Sequence, residues 1–278
     1  MIDVLLATCR PDTGMLKAQI DSIRMQRDVE LNLIVREDAA GEGACANFAR
    51  LLEMSTADYC AFADQDDVWL PDKLARLLAK MRELEAQYGK TTPLLVFGDA
   101  IVVDAGLREI SPSLFKHTKI DPSRVRPEQL VLQNVANGNT MLFNAALRDL
   151  ARPIPPQAFM HDHWLMLAAS SFGKIAHIDG PLLYYRQHGG NVLGGAKVGI
   201  GYFARKLREG RRKLRQRLYA NIVQAEAFVA RFGDASPGCL QALVGIDRKP
   251  YWRRVGILAA NRIAKNGWLR NLGTALII

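Results

Sequence analysis

Cys60-Ala61-Phe62-Ala63-Asp64-Gln65-Asp66-Asp67-Val68-Trp69 ends an apolar run with three carboxylates inside four positions. Charges of one sign this close repel one another. A hard divalent cation, Mg²⁺ or Mn²⁺, reverses the balance, because it favours carboxylate oxygens and keeps coordination positions open for phosphates. A solvated acidic turn capping the helix after Pro71 is the alternative. Asp162 stands apart: it follows Phe159-Met160-His161 and precedes Trp164-Leu165-Met166-Leu167, so it opens a helix in partly apolar surroundings. A carboxylate there suits the helix dipole, and it also suits proton transfer. His161 and His163 flank it, but no third ligand stands at a zinc spacing.

The apolar pattern supplies elements that position both groups. Ile2 to Ala7 reads as a strand, Met15 to Met25 as a helix with Leu16, Ile20 and Ile23 at helical spacing, and Leu31 to Val35 as a second strand. Phe48, Leu51 and Leu52 mark the inner face of the next helix. Tyr59 to Ala63 reads as a third strand, and Leu74, Leu77, Leu78 and Met81 form one face of a helix over Pro71 to Leu84. Alternating strands and helices predict an α/β fold with parallel pairing. Ligands in such sheets bind beyond the carboxyl ends of the strands, where the Asp64 cluster falls.

With 278 residues, 49% of them hydrophobic, the chain can bury one full core and carry a smaller appendage. Asp3 and Arg10 interrupt the only apolar start, and no stretch approaches an uninterrupted membrane span, so a cytoplasmic protein is expected. Cys9, Cys45, Cys60 and Cys239 have neither zinc spacing nor the density of a disulfide scaffold, and are expected to be reduced. The formal charge of +9 is uneven: residues 201–278 hold 16 Lys and Arg against 4 acids, residues 1–200 hold 21 against 24. Within Tyr202 to Val223, Phe203, Leu207, Leu214, Leu218 and Ile222 share one helical face, and Arg205, Arg208, Arg212 and Arg215 another. Such a helix suits an anionic membrane surface, and equally a solvated helix packed on the preceding domain. Tyr251-Trp252-Arg253-Arg254 and Trp268 add side chains of the membrane-interface kind. Val255 to Ala260 and Leu272 to Ile278 are too short to span, which leaves peripheral attachment.

Val4-Leu5-Leu6-Ala7-Thr8, Gln19-Ile20-Asp21-Ser22-Ile23, Ala63-Asp64-Gln65-Asp66-Asp67-Val68-Trp69, His161-Asp162-His163-Trp164 and Tyr185-Arg186-Gln187-His188-Gly189-Gly190-Asn191 follow one another in an informative order. Together they make the chain, over roughly residues 1 to 195, resemble a bacterial family 2 glycosyltransferase of the GT-A fold, and within it the rhamnosyltransferases of polysaccharide assembly. The resemblance implies a GT-A domain over residues 1–198, a Rossmann-like mixed sheet flanked by helices. Residues 1–93 would hold the nucleotide sugar, residues 94–198 the acceptor, and residues 199–278 form a basic amphipathic helical tail.

The resemblance also implies inverting, metal-dependent transfer of a sugar, with L-rhamnose from dTDP-rhamnose as first choice. The acceptor would be a lipid-linked saccharide of O-antigen type on the inner face of the cytoplasmic membrane, with the tail on the anionic membrane surface. Asp64 and Asp66 match the family's DXD motif. Asp66 is the direct ligand of Mg²⁺ or Mn²⁺, Asp64 shares the metal and lies nearer the ribose, and His188 approaches the metal or diphosphate. Asp162 matches the general base; His161 and His163 are expected in the acceptor pocket or directly behind it, and Trp164 in the acceptor pocket. Thr8, Arg10, Glu37 and Asp38 occupy places that contact base and ribose. The family commonly has two aspartates, Gly and Ser there, whereas this chain reads Glu37-Asp38-Ala39-Ala40-Gly41, which favours Asp38 over Glu37. Gly138, in Asn137-Gly138-Asn139-Thr140, would permit a close backbone approach beside the donor sugar, as it would in a simple turn.

Other classes fit less of the chain. A sugar-phosphate nucleotidyltransferase opens with a glycine-rich basic loop, which Cys9-Arg10-Pro11-Asp12-Thr13-Gly14 is not. A nucleic-acid-binding protein would use the basic tail and its interleaved aromatics, yet it leaves the Asp cluster without a purpose, so nucleic acid is disfavoured as a partner. A non-catalytic relative would keep the fold and lose the chemistry.

Overall fold

The computed structural model describes residues 1–187 and 210–278. Strands β1 (Ile2–Thr8), β2 (Leu31–Glu37), β3 (Tyr59–Asp64), β4 (Val68–Trp69), β5 (Leu94–Val103), β6 (Glu109–Ser111), β7 (Met141–Asn144) and β8 (Lys174–Arg186) form one sheet. Its order is β2-β1-β3-β7-β5-β8-β4, with β6 paired to β5. β1 runs parallel to β2 and β3, as the alternating pattern predicts. β7 then inserts antiparallel between β3 and β5, and β8 runs parallel to β5, so the sheet is mixed.

Side chains alternate across a strand, and the apolar runs therefore feed two cores. Ile2, Val4, Leu6, Ala61 and Ala63 face one way; Leu5, Cys60 and Phe62 face the other. Helices α1 (Thr13–Arg24) and α3 (Lys73–Tyr88) cover the first face through Ile23, Leu74, Leu77 and Met81. The second is covered by α2 (Ala44–Met54) and, beyond the short helices α4 (Leu114–Thr118), α5 (Pro127–Leu130) and α6 (Ala145–Ala151), by α7 (His161–Phe172). Each large side chain buried this way stabilises the fold by about 1.5–3 kcal/mol relative to exposure. Both ends of the DXD segment are thus anchored: Phe62 lies in one core, Trp69 in the other.

The C-terminal residues form α8 (Gly210–Phe232), α9 (Gly238–Gln241), α10 (Tyr251–Ala260) and α11 (Trp268–Ile277). Leu218, Ile222, Ala225 and Phe228 make one stripe of α8 and are buried in the core of α2 and α7, with the Phe228 ring 5.3 Å from Trp164. The apolar face read from Leu218 and Ile222 is therefore used in packing on the domain. Phe203, Arg205, Leu207 and Arg208 lie outside the described residues. α8 also holds the chain that leads into α7: Gln224 accepts the Phe159 N–H at 2.8 Å, and Arg231 donates to the carbonyls of Leu150 and Arg152 at 2.8 and 2.5 Å. Among the described residues no helix is long and apolar enough to cross a membrane. The four cysteines are free thiols.

Candidate active site

A cavity of about 310 Å³ opens at the carboxyl ends of β1 and β3. Thr8, Asp38, Asp64, Asp66, Gly138, His161 and Asp162 all line it, although they come from sequence positions far apart. Local hydrogen bonds tie the strand ends together. Asp38 N–H donates to the Thr8 carbonyl at 2.7 Å, while both oxygens of its carboxylate accept backbone N–H groups, from Glu42 and Gly43, at 2.8 Å. Those bonds hold the Asp38 carboxyl below its usual range. Gln65 accepts from Cys9 N–H at 2.7 Å, which joins the DXD loop to the loop after β1.

Burial raises the Asp64 carboxyl to about 7, and the charges of Asp66 and Asp162 push the same way. Beneath it lies a second set of buried groups. Asp67 accepts from the Asn139 amide and, at 3.2 Å, from Arg186 N–H. Lys73 Nζ donates to the Asn139 carbonyl at 2.5 Å and lies 3.1 Å from the Trp69 ring centroid. Removal from water drives Asp67 well above its ordinary range and Lys73 well below, both towards neutrality. Asp67 does not line the cavity. With Lys73 it fixes the Gly138-Asn139 turn against the DXD loop.

Asp162 sits in the first turn of α7. Its carboxylate accepts from His163 N–H at 2.6 Å and Gly138 N–H at 3.1 Å. Burial raises its pKa to about 6, and these hydrogen bonds offset part of that rise. A carboxyl with that pKa is ionised at neutral pH, the state that proton acceptance requires. Gly138 is required by space: a Cβ would stand 2.9 Å from His161 Nε2 and 3.3 Å from Asp162 Cβ. His161 stacks on Phe48 at 3.9 Å between centroids, and burial holds its pKa near 3, so the ring is neutral. Both ring nitrogens are buried and without a hydrogen-bond partner.

The remaining sequence candidates lie elsewhere. A helix advances about 100° per residue, so His163 and Trp164 turn away from the wall formed by His161 and Asp162. His163 Nε2 donates to the Leu130 carbonyl at 2.7 Å, and the fully buried Trp164 donates to the Ala151 carbonyl at 2.9 Å. Neither lines the cavity. Arg10 and Glu37 are exposed and do not line the cavity. His188 lies outside the described residues. Sequence reading missed Asn47, a buried cavity residue whose amide donates to the carbonyls of Thr8 and Arg36, both at 3.2 Å. A polar residue beside Phe48 on an apolar helix face was its only signal. Tyr185, from β8, lines the cavity too.

Residues 20–149 match the family model for Glycosyl transferase family 2, a span that includes Asp38, Asp64, Asp66 and Gly138 and ends before Asp162. This protein is a glycosyltransferase. The enzyme's fold is similar to that of S. aureus TarS. A fragment of residues 1–349 in complex with UDP-GlcNAc aligns with a TM-score of 0.54 at 14% identity, covering 94% of this chain and 87% of that one. The same fragment with UDP gives 0.50 at 14%, covering 83% and 71%. A longer TarS structure gives 0.53 at 13%, covering 94% of this chain and 52% of that one. At such identities the likeness is one of fold, and that fold is GT-A with a helical C-terminus. No curated protein sequence matches the chain.

Proposed function

We propose that the enzyme moves a sugar, with inversion, from a nucleoside-diphosphate donor to a hydroxyl of a growing lipid-linked saccharide destined for a cell-surface polysaccharide. The observation that carries this reading is the meeting of Asp38, Asp64, Asp66 and Asp162 in one cavity at the carboxyl ends of β1 and β3, where open α/β sheets bind nucleotides. Thr8, Asp38 and Asp64 would face the nucleoside, and Gly138 would leave room beside the donor sugar. TarS is solved with UDP-GlcNAc and with UDP, which supports a nucleotide-sugar donor. The rhamnosyltransferase resemblance makes dTDP-rhamnose the first donor to test. On this reading the enzyme works as a peripheral protein on the inner face of the cytoplasmic membrane.

Asp64 and Asp66 suit a hard divalent cation, because both line the cavity and a cation would offset the burial, and the neighbouring Asp66 and Asp162 charges, that raise the Asp64 carboxyl. Among the described residues no three His, Cys, Asp or Glu side chains are arranged to enclose an ion by themselves, so the donor diphosphate would complete its coordination. When bound, Mg²⁺ or Mn²⁺ would stabilise the charge that builds on the leaving diphosphate. Asp162, ionised above about pH 6, takes the proton of the acceptor hydroxyl as that oxygen attacks the anomeric carbon. The carbon–phosphate-oxygen bond breaks on the opposite face, which inverts the centre. The His161 ring, packed against Phe48 and Phe62, backs Asp162 with an uncharged wall.

The test is release of nucleoside diphosphate from dTDP-rhamnose and UDP-GlcNAc, each with and without a lipid-linked saccharide. Release that needs the acceptor and stops on chelation supports the reading. Release indifferent to the acceptor, or none from any nucleotide sugar, overturns it.

A further inference from the structure

α11 is oriented against its own amphipathicity. Trp268, Leu269, Leu272 and Leu276 share one stripe and are exposed, Trp268 at 72% and Leu276 at 57%, whereas Thr274 is buried. The polar side chains point inward and are used there. Arg270 donates to the carbonyls of Thr118 and Lys119 at 2.6 and 3.0 Å, and Asn271 to that of Lys265 at 3.0 Å. A helix on a water-exposed surface ordinarily turns its apolar stripe to the core. Here hydrogen bonds hold the opposite orientation, and the stripe is presented outward.

The surroundings of that stripe are aromatic and cationic. Tyr251 donates to the Ala275 carbonyl at 2.9 Å, which brings the start of α10 to the end of α11. The Trp252 ring lies 4.9 Å from that of Tyr251 and is 80% exposed. Arg211, Arg212 and Arg215 line a cleft of about 790 Å³ whose wall includes Leu276 and Ile278. Residues 210–278 carry 13 Lys and Arg against 3 acids.

We propose that this face docks on an anionic lipid bilayer, with Trp252, Trp268, Leu272 and Leu276 at the boundary between headgroups and acyl chains, and with Arg211, Arg212 and Arg215 on lipid phosphates. Charge selects the occupant. A second copy of the chain would set two strongly basic faces against each other, and an uncharged apolar surface would leave the arginines unanswered. An anionic bilayer satisfies both the apolar stripe and its cationic rim. The docking element is α11 with the start of α10. It is distinct from the Leu218–Ile222 stripe of α8, which the core consumes. Docking would bring the cavity to a lipid-linked acceptor. That use rests on the proposed function, but the docking does not.

Flotation of the full chain with phosphatidylglycerol-containing and with pure phosphatidylcholine vesicles tests it, with no donor or acceptor present, so failed docking and failed transfer are separate results. The expected outcome is partition onto the anionic vesicles with a blue shift of tryptophan emission. Trp268→Ser/Leu272→Ser should weaken it at least tenfold, with the circular dichroism spectrum unchanged, and Arg211→Gln/Arg215→Gln should remove the preference for anionic lipid. The proposal is overturned by absence of binding to either vesicle or by undiminished partition of the Trp268→Ser/Leu272→Ser variant. It is also overturned if that variant loses oligonucleotide binding or dimerisation that the unmodified chain shows in place of vesicle binding.

Discussion

In the cavity, carboxylates are held away from water with too little positive charge beside them; on the α10–α11 face, tryptophan and leucine are exposed, with no apolar cover among the described residues. The two regions reverse each other's chemistry and share one device. Beneath each lies a layer of hydrogen bonds: Asn139 to Asp67 and Lys73 to Asn139 under the acids, Arg270 and Asn271 under the leucines. Rigid support lets the outer residues keep an arrangement unfavourable on its own, which is how functional sites retain strain. The cavity asks for cation and phosphate. The face asks for an anionic, apolar surface.

The sharpest break in that comparison removes one charge from the cavity. Asp162→Asn preserves shape and should lower kcat by about 10²–10⁴-fold, the usual contribution of a general base, with donor affinity unchanged by titration. Equal loss of donor binding would move Asp162 to the binding side. The same residue predicts a pH profile. With its pKa raised to about 6 by burial, the base is protonated below that value, so kcat/KM should fall about tenfold per unit below pH 6 and level off above it. A profile flat to pH 5 contradicts the assignment.

Stability separates the regions next. Trp164→Ala empties a fully buried position beside Phe228 and should cost about 3–5 kcal/mol in urea unfolding. Asp64→Asn should do the reverse in metal-free buffer. The folded carboxyl titrates near 7, above the ordinary 3.8, so the fold must keep it charged at higher pH at a cost absent once both states are protonated. Its removal should therefore stabilise by about 1–3 kcal/mol at pH 8, a gain that fades as pH falls from 7 to 4. No gain at pH 8 would mean that the charge is already compensated. Trp268→Ala, on the exposed stripe, should change stability by no more than about 0.5 kcal/mol. A larger loss would place Trp268 in the fold's support, with its exposure secondary.

Periodicity read the first half of the fold well, because Ile2 to Ala7, Tyr59 to Ala63 and the Leu74 to Met81 face each repeat one clear spacing. The apolar run Met141 to Phe143 also reads as a strand, and β7 occupies it; what four buried residues without alternation do not display is that it pairs antiparallel between β3 and β5. The carboxylates of the cavity were legible from type and spacing. His163 and Trp164 follow Asp162 in sequence without joining it at the cavity, because adjacency in sequence is not adjacency on a helix. Asn47 was missed because its work is done by hydrogen bonds to carbonyls that no pattern displays. Amphipathicity identifies a stripe without saying which way it faces: Leu218 and Ile222 turned inward, Trp268 and Leu272 outward.

Calorimetric titration with dTDP, UDP and GDP, each with and without Mn²⁺, on the unmodified enzyme, Asp66→Ala and Asp162→Asn, tests the acidic cavity most directly. The account predicts that one nucleoside diphosphate binds in a metal-dependent way, that Asp162→Asn retains this binding, and that Asp66→Ala loses it. Binding indifferent to metal and equal in all three proteins, or no binding at all, would contradict it.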